Sequence, residues 1–299
     1  MLGTRLLVSA VLIPLFIALC WFDARLGRSA VILMPLALLI SLQASLEIAA
    51  LLKLPKLSRS GVVAGNLLIL LAFWGAHVLL PERLWSDPVV AMLLPIGVAG
   101  LAFVGLVQMV LFVGLSQFRE PGGHIPRLSG EVFALSYIGM LLVTVASLRW
   151  VGEGQLGYLA LGSLVIGAKI GDVGGYTFGR LFGKKKLAPS LSPGKTRAGA
   201  LGAILTAAVG TALWIRFAGP LFAPDAMIGA WPHLLAFGTL LGIVGLIGDL
   251  AESLLKRDAG LKDASHLMPA FGGLLDLIDS ILYTGPVALL VWLAWPPVV

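Results

Sequence analysis

The sequence is poor in two kinds of residue on which soluble folds and metal centres often depend, cysteine and charged side chains. Its 299 residues include one cysteine, Cys20, which excludes a disulfide framework and a site built from several thiolates. Only 12% of the residues are charged, whereas 59% are hydrophobic and the mean hydropathy is +0.99. So apolar a composition excludes an ordinary soluble domain and places the chain in the membrane class.

The chain also lacks a long linker, a low-complexity tract and an internal repeat. About nine apolar runs are long enough to cross a bilayer as helices. No small-x-small cleavage site follows the first run before Asp23, so we expect a retained helix rather than a signal peptide. The predicted fold class is all-α, a polytopic integral membrane bundle of about nine transmembrane helices. The runs are 6–22, 30–52, 61–80, 89–115, 131–148, 156–178, 198–217, 232–255 and 274–296.

Basic residues are concentrated in every second connection between these runs. By the positive-inside rule such loops face the cytoplasm, which predicts a cytoplasmic N-terminus. The net charge of +6 therefore reflects topology and attraction to anionic lipid headgroups, so nucleic acid is not expected as a partner. The cations in these connections are Lys53, Lys56, Arg59, Arg119, Arg127, Arg180, Lys184, Lys185, Lys186, Lys195, Arg197, Lys256, Arg257 and Lys262.

A connection rich in turn-forming residues, 116–130, divides the chain. It predicts N-terminal transmembrane helices in residues 1–118 and a catalytic transmembrane portion in residues 119–299. Two polar residues of the first portion, Glu47 and His77, lie inside apolar runs without a partner that the sequence identifies. We expect each to make a hydrogen bond between helices.

The densest charge in the chain lies between Gly248 and Ser280, a stretch that begins in one apolar run and ends in another. On a helix, Glu252 and Ser253 would share a face with Asp249. Ionisable groups at membrane depth are costly and usually functional. Oxygen ligands suit a hard cation such as magnesium, while lysine and arginine neutralise phosphate. The stretch therefore predicts a site for a divalent cation and phosphate groups.

The second half of this stretch continues the pattern across a turn. Asp276 and Asp279 are three residues apart at the start of the next predicted helix, after the turn-forming Gly272 and Gly273. Asp276 lies within an apolar run and is predicted to belong to the site, as is Asp249. In contrast, Asp258 is expected to be a loop charge that pairs with neighbouring cations. Asp263 is expected to behave in the same way.

A second polar cluster spans residues 169–199. Its glycines would let backbone amides approach a ligand closely. The segment S-P-G-K-T, residues 192–196, precedes a predicted helix whose N-terminus favours an anion, and Lys195 and Thr196 would add a positive charge and a hydroxyl. G-K-T also occurs in P-loops, but Pro189 replaces the upstream glycine, so a P-loop NTPase is excluded. Lys184 to Lys186 are expected to set topology.

Together the two clusters resemble the phosphatidate cytidylyltransferases, membrane enzymes that make CDP-diacylglycerol. The family signature S-x-x-K-R, K-D, P-G-H-G-G and D-R-x-D is matched by Ser253, Lys256, Arg257, Lys262, Asp263, Pro269, Gly272, Gly273, Asp276 and Asp279. The upstream pattern D-x-G-A-Y-x-x-G-R-x-x-G-K, then S-P-x-K-T-x-E-G, is similar to Asp172, Gly174, Tyr176, Gly179, Arg180, Gly183, Lys184, Ser192, Pro193, Lys195, Thr196 and Gly199. The motif resemblance covers about residues 169–285.

The resemblance implies transfer of a cytidylyl group from CTP to phosphatidate. It implies one or two magnesium ions bound by Asp249 and Asp276, with Lys195 and Lys256 completing the catalytic group. The implied substrate-binding residues are Asp172, Arg180, Ser192, Thr196, Ser253, Arg257 and Asp279. CTP, phosphatidate and membrane lipids would be the partners of a homodimer. It would lie in the bacterial cytoplasmic (inner) membrane with its active site facing the cytoplasm.

The chain departs from the signature at several polar positions. Phe271 stands where the family has histidine, Leu277 where it has arginine, and Ala198 where it has glutamate; Ala270 replaces a glycine. We interpret the chain as a divergent member in which Arg197, His266 or Lys169 substitutes. The alternatives are a CTP-dependent transferase or kinase for another membrane lipid, and a non-catalytic paralogue. A transporter would show inverted repeats, which the sequence lacks.

Overall fold

The computed structural model describes residues 2–26, 30, 32–79, 87–154, 156–265 and 272–298, and these are almost entirely helical. The described helical segments also include a π-helical turn (Leu135–Met140) and a 3-10 segment (Leu148–Gly154). Each of the nine predicted runs coincides with helix, so the all-α class is confirmed. The helices are α1 (Leu2–Arg25), α2 (Leu33–Leu51), α3 (Lys56–Leu79), α4 (Pro88–Gln117), α5 (His124–Ala134), α6 (Leu141–Ser147), α7 (Gly157–Phe182), α8 (Arg197–Phe222), α9 (Trp231–Asp258) and α10 (Leu275–Ala294).

Within the described residues, seven helical segments are long and apolar enough to cross a membrane. They are α2, α3, α4, the continuous stretch His124–Gly152, α8, α9 and α10. The two other predicted runs form α1 and α7 but are not among the seven. In α7 the polar residues Lys169 and Asp172 and several glycines lower the hydropathy. The fold is therefore that of a polytopic helical membrane protein.

Helices α7 to α10 pack through small residues, which lets their backbones approach closely. A Cβ added to Gly199 of α8 would lie 2.7 Å from the carbonyl oxygen of Gly175 in α7. A Cβ on Gly238 of α9 would lie 2.7 Å from Cα of Ala208 in α8, and one on Gly248 would lie 2.6 Å from Cβ of Tyr283 in α10. This packing brings the C-terminal ends of α7 and α9 together with the N-terminal ends of α8 and α10.

A short β-hairpin that the sequence did not predict connects α7 to α8. It consists of β1 (Lys186–Ala188) and β2 (Ser192–Thr196), which pair antiparallel with Lys186 opposite Thr196. The S-P-G-K-T segment is thus the second strand. The Thr196 hydroxyl accepts a hydrogen bond from the amide of Gly199 at 3.1 Å and so caps α8.

The opposite end of α7 contains a buried polar group, the Asp23–Arg149 cluster, formed by Asp23, Arg149 and Tyr158. Asp23 is 0% and Arg149 4% exposed. Tyr158 donates its hydroxyl hydrogen to Asp23 Oδ2 at 3.0 Å, and Arg149 Nε lies 3.7 Å from the same oxygen. The Asp23 carboxylate also accepts the amide of Ile32 at 2.8 Å. The cluster links α1 to the segments on either side of Gly154.

The structure also assigns contacts to Glu47 and His77, the two polar residues of the N-terminal portion for which the sequence identified no partner. The ring of His77 in α3 stacks on Trp150, with centroids 3.8 Å apart and planes at 8°. Glu47 of α2 receives hydrogen bonds from the start of α10, as described below. The division of the chain at residue 118 remains a prediction.

Candidate active site

The helix ends that meet beside the hairpin enclose a cavity of about 720 Å³. Its walls come from α7, the hairpin, α8, α9, the loop that follows α9, and α10. The residues predicted for the site all line it, although they come from segments more than a hundred positions apart. They are Asp172, Arg180, Ser192, Lys195, Thr196, Asp249, Ser253, Lys256, Arg257, Asp276 and Asp279. Their roles in catalysis and binding remain predictions.

Three carboxylates meet at one point of this cavity. Asp249 and Glu252 come from successive turns of α9 and Asp279 comes from α10; one oxygen of each lies within 4.8 Å of the other two. Glu252 is 1% and Asp279 4% exposed, while Asp249 is more accessible. Carboxylates held so close repel one another unless a cation lies among them. Their oxygen atoms are the ligands that a hard divalent cation such as magnesium prefers, so the residues present fit such an ion.

Asp276 lies beside this group but has other partners. Its Oδ2 accepts the backbone amides of Ala264 at 2.9 Å and Gly273 at 2.7 Å, and its Oδ1 pairs with the ammonium of Lys256. The same ammonium pairs with Glu252. The structure thus places Glu252, rather than Asp276, in the carboxylate group with Asp249. The prediction that Asp276 binds a metal ion remains a prediction.

The turn before α10 depends on glycine. Gly272 has a φ of +91°, a backbone conformation that residues with a side chain rarely adopt. A Cβ at this position would also lie 2.7 Å from Asp276 Oδ2. The first glycine of the family's G-G pair is therefore required both for the backbone and for the position of the carboxylate.

Ammonium groups surround the carboxylates. Lys195 of β2 lies 2.7 Å from Asp249 Oδ1. Lys169 of α7 lies 2.8 Å from Asp172 Oδ2, donates to the carbonyl of Leu277 at 2.6 Å, and is close enough to Asp249 and Asp279 to interact with them electrostatically. The cavity therefore contains ammonium groups, on flexible lysine side chains, next to carboxylates. Such a surface can bind polyanionic phosphates, because the ammonium groups can exchange a carboxylate for a phosphate.

Two other predicted residues contact backbone. Arg257 donates through Nε to the carbonyl of Leu191 at 3.2 Å, which ties the end of α9 to the turn of the hairpin. Thr196 is 7% exposed and caps α8. Both line the cavity while they also hold its walls in place.

The residues that were predicted to substitute for the lost signature side chains lie in different places. Lys169 lies in the cavity and contacts the backbone of Leu277, whose side chain packs against the apolar core. Arg197 is exposed and is not among the cavity residues. His266 and Phe271 lie outside the described residues, as do Pro269 and Ala270. Among the described candidates for substitution, Lys169 is the one whose position fits.

Sequence reasoning missed some residues of the cavity. The spacing of Glu252 from Asp249 was visible, but its burial among the carboxylates was not. Asp263, expected to be a loop charge, lines the cavity, whereas Asp258 is exposed and does not. Glu47 contacts the start of α10 from a helix that the predicted site did not include. Its one sequence signal was a carboxylate within an apolar run.

The fold is a polytopic helical bundle, and cations and clustered carboxylates meet at the ends of its helices. These features define a membrane protein with a site suited to charged, phosphate-bearing ligands. The chain belongs to the cytidylyltransferase family, which it matches over residues 3–295. The resemblance drawn from the two polar clusters is thereby confirmed.

Curated relatives support this membership. The chain is 42% identical over 115 residues to a phosphatidate cytidylyltransferase of Haemophilus influenzae, covering 38% of this chain and 39% of that protein. It is 37% identical over 192 residues to a phosphatidate cytidylyltransferase of Chlamydia pneumoniae, covering 61% and 60%. It is 35% identical over 186 residues to the uncharacterized protein YnbB of Escherichia coli, covering 60% and 58%. The matched stretch is less than two thirds of the length of each of these three relatives.

Proposed function

We propose that the chain transfers a cytidylyl group from CTP to phosphatidate, giving CDP-diacylglycerol and pyrophosphate. The observation that carries the proposal is the group of carboxylates Asp249, Glu252 and Asp279 in one cavity with Lys195 and Lys256. The family match and the two relatives that carry the name phosphatidate cytidylyltransferase support the same activity.

In this reaction a phosphate oxygen of phosphatidate attacks the α-phosphorus of CTP. A new phosphorus–oxygen bond forms, and the bond between the α-phosphorus and the bridging oxygen breaks, so pyrophosphate leaves with the electron pair. The attacking oxygen is already an anion, so no strong general base is needed. Catalysis then consists of positioning and charge neutralisation, which cations already in place can supply.

Lys195 and Lys256 are the groups that we assign to the phosphates. Each has a flexible stem and a carboxylate partner that it can exchange for a phosphate oxygen. When Lys256 turns to the substrate, it frees both Glu252 and Asp276. Arg257 adds a further cation at the hairpin, and its hydrogen bond to Leu191 keeps that side of the cavity in place.

We assign cation binding to Asp249, Glu252 and Asp279, and we retain Asp276 as a ligand once Lys256 has turned away. One or two magnesium ions held there would neutralise charge at the α-phosphate and on the leaving pyrophosphate. Asp172, Ser253, Arg180, Ser192 and Thr196 line the remaining walls and are assigned to substrate binding.

The membrane setting extends the proposal. The basic connections support a cytoplasmic opening for CTP, while phosphatidate would enter sideways from the bilayer. We therefore propose that the protein lies in the bacterial cytoplasmic membrane, with the active site facing the cytoplasm and with membrane lipids as its surroundings. The proposal of a homodimer is supported by the family resemblance alone.

The test uses the purified full chain in detergent micelles with phosphatidate, magnesium and CTP labelled at the α-phosphate. The expected result is a labelled lipid and one pyrophosphate released per lipid formed, with both products abolished by a chelator. Parallel reactions contain diacylglycerol, a polyprenol or a polyprenyl phosphate instead of phosphatidate, and a second set contains CTP labelled at the γ-phosphate.

The outcomes separate the candidate functions. Preferred labelling of another lipid from the α-phosphate would identify a different cytidylyltransferase, and labelling from the γ-phosphate would identify a lipid kinase. An absence of any transfer, together with no binding of CTP in calorimetry, would identify a non-catalytic member of the family. Each of these results would overturn the proposed reaction.

A further inference from the structure

Glu47 is a buried carboxylate in α2, outside the helices that form the cavity. It is 3% exposed, and it receives four hydrogen bonds from residues that the structure describes. Two come from side chains, Gln43 Nε2 and the Ser265 hydroxyl, each at 2.8 Å. The other two come from the backbone amides of Leu274 at 3.0 Å and Leu275 at 2.7 Å. The carboxylate thus binds the beginning of a helix that lies more than 200 residues further along the chain.

The start of α10 needs such a partner. The first amides of a helix have no acceptor within the helix, and Leu274 at the N-cap position has no side chain that can supply one. Leu275 is fully buried, so water does not supply the acceptor for its amide. Glu47 accepts two of these amides, and its negative charge lies at the positive end of the helix dipole.

Two carboxylates divide the amides of this turn between them. Glu47 accepts hydrogen bonds from the amides of Leu274 and Leu275 on one side, while Asp276 accepts one from the amide of Gly273 on the cavity side. The fit is close, because a Cβ added to Gly273 would lie 2.5 Å from Glu47 Oε2. The turn is held from both sides, and with it the first residues of α10.

This turn determines where two site residues lie. Asp276 is the second residue of α10, and Asp279 follows one turn later as a member of the carboxylate group. Their distance from Asp249 and Glu252 on α9 depends on how α10 begins. A displacement of about 1 Å between catalytic groups can lower a rate by about 10²-fold.

We propose that Glu47 is a positioning residue for the reaction: by binding the start of α10 it holds Asp276 and Asp279 at their working distance from α9. The proposal rests on the proposed function. It makes the N-terminal portion of the chain part of the active-site framework, although Glu47 is not among the residues that line the cavity.

The test compares Glu47→Leu, Glu47→Gln and a matched control, Glu131→Gln. Glutamine keeps an acceptor oxygen and almost the same volume, whereas leucine removes every acceptor. Glu131 is also a buried glutamate, 5% exposed, but its partner is Arg127 at 2.9 Å and it does not line the cavity. The control therefore measures the general effect of removing a buried carboxylate.

We expect kcat to fall by about 10²-fold in Glu47→Leu and by about tenfold in Glu47→Gln, with the KM for CTP unchanged. KM should hold because Lys195 and Lys256, which we assign to the phosphates, lie on β2 and α9 and not on the turn that Glu47 binds. A general loss of folding would instead lower the active fraction in all three variants. Glu47→Gln would then not retain a higher kcat than Glu47→Leu.

Two measurements do not depend on turnover. Amide hydrogen exchange at residues 273–275 should be faster in both Glu47 variants than in Glu131→Gln. The affinity for Mn²⁺ in the absence of substrates, measured by the paramagnetic signal of the free ion, should fall in both Glu47 variants and not in the control.

The proposal is overturned if the Glu47 variants match Glu131→Gln in kcat, or if exchange at residues 273–275 is unchanged. These outcomes differ from a failure of the proposed function. If the wild-type chain transfers no cytidylyl group to any lipid, the exchange and Mn²⁺ measurements still decide whether Glu47 positions the carboxylates. If Glu47→Leu does not fold, Glu47→Gln decides alone.

Discussion

The two ends of the α7–α10 unit both contain charged side chains inside an apolar bundle, but the charges are arranged differently. In the Asp23–Arg149 cluster a single carboxylate has a tyrosine hydroxyl, a backbone amide and a guanidinium as partners, and all are buried. In the cavity three carboxylates lie within 4.8 Å of one another, and their ammonium partners reach them from other helices and from the hairpin.

This difference separates a structural ion pair from a binding site. The Arg149 guanidinium also lies 4.2 Å from the centre of the Tyr158 ring, so the first cluster is complete without a ligand. Adjacent carboxylates such as Asp249 and Asp279 repel one another in the folded state. A cation that binds between them, alone or together with a phosphate, makes their proximity favourable. We therefore expect substitutions at the first end to change stability and substitutions at the second end to change activity.

The largest expected effect is on turnover at the cavity. Asp249→Asn should reduce cytidylyl transfer by about 10³-fold or more, because it removes a charged ligand and the partner of Lys195. The thermal midpoint without magnesium should be unchanged or slightly higher, since one of three repelling carboxylates has been neutralised. Transfer of labelled CMP to phosphatidate and a thermal unfolding curve measure the two quantities.

Asp258→Asn is the matched control, because Asp258 is an exposed aspartate at the end of the same helix and does not line the cavity. It should retain full activity. Equal activity of the two variants would contradict the assignment of Asp249.

At the other end the expected effect is on stability. Asp23→Asn leaves the Arg149 guanidinium buried without its counter-charge, which should destabilise the fold by about 3 kcal/mol or more. Turnover per folded molecule should not change, because Asp23 does not line the cavity. Unfolding in detergent with increasing denaturant gives the free energy, and Asp225→Asn, an exposed aspartate after α8, should stay within about 0.5 kcal/mol of wild type. A stable Asp23→Asn protein with lowered turnover would contradict the structural role assigned to the Asp23–Arg149 cluster.

The helices and much of the cavity were predictable from the sequence. Apolar runs of about 20 residues specify spanning helices by their length alone. An acid within such a run, such as Asp249, indicates function because its burial without a partner is so unfavourable. The order of motifs along the chain then indicated which helix ends would meet.

The hairpin between α7 and α8 was not predictable in the same way. Its strands have three and five residues, too few to show a period, and Pro193 and Gly194 are typical of turns. The strand forms because Lys186 and Thr196 pair across it and because Thr196 caps α8, which is a matter of tertiary context.

The partners of the acids also depend on tertiary contacts. Asp276 and Glu252 share Lys256 because α9 and α10 pack together in one rotational setting, which the sequence does not specify. Glu47 accepts the amide of Leu274 across a separation of 227 residues, so no local pattern could link the two. A buried acid in an apolar run is therefore detectable from sequence, whereas its role requires the structure.

The smallest expected effect compares two glycines, one at each end of the unit. A Cβ on Gly273 would meet Glu47 Oε2 at 2.5 Å, and a Cβ on Gly229 would meet the carbonyl oxygen of Pro297 at 2.8 Å. Either Gly→Ala substitution should destabilise the fold by about 1–3 kcal/mol through overpacking. Only Gly273→Ala should also lower kcat, by about tenfold, because it moves the turn that positions Asp276. Thermal unfolding and kcat, measured for both variants, make the comparison. An equal loss of kcat in Gly229→Ala would show that turnover responds to packing anywhere in the unit, and the proposed division between a structural and a catalytic end would then fail.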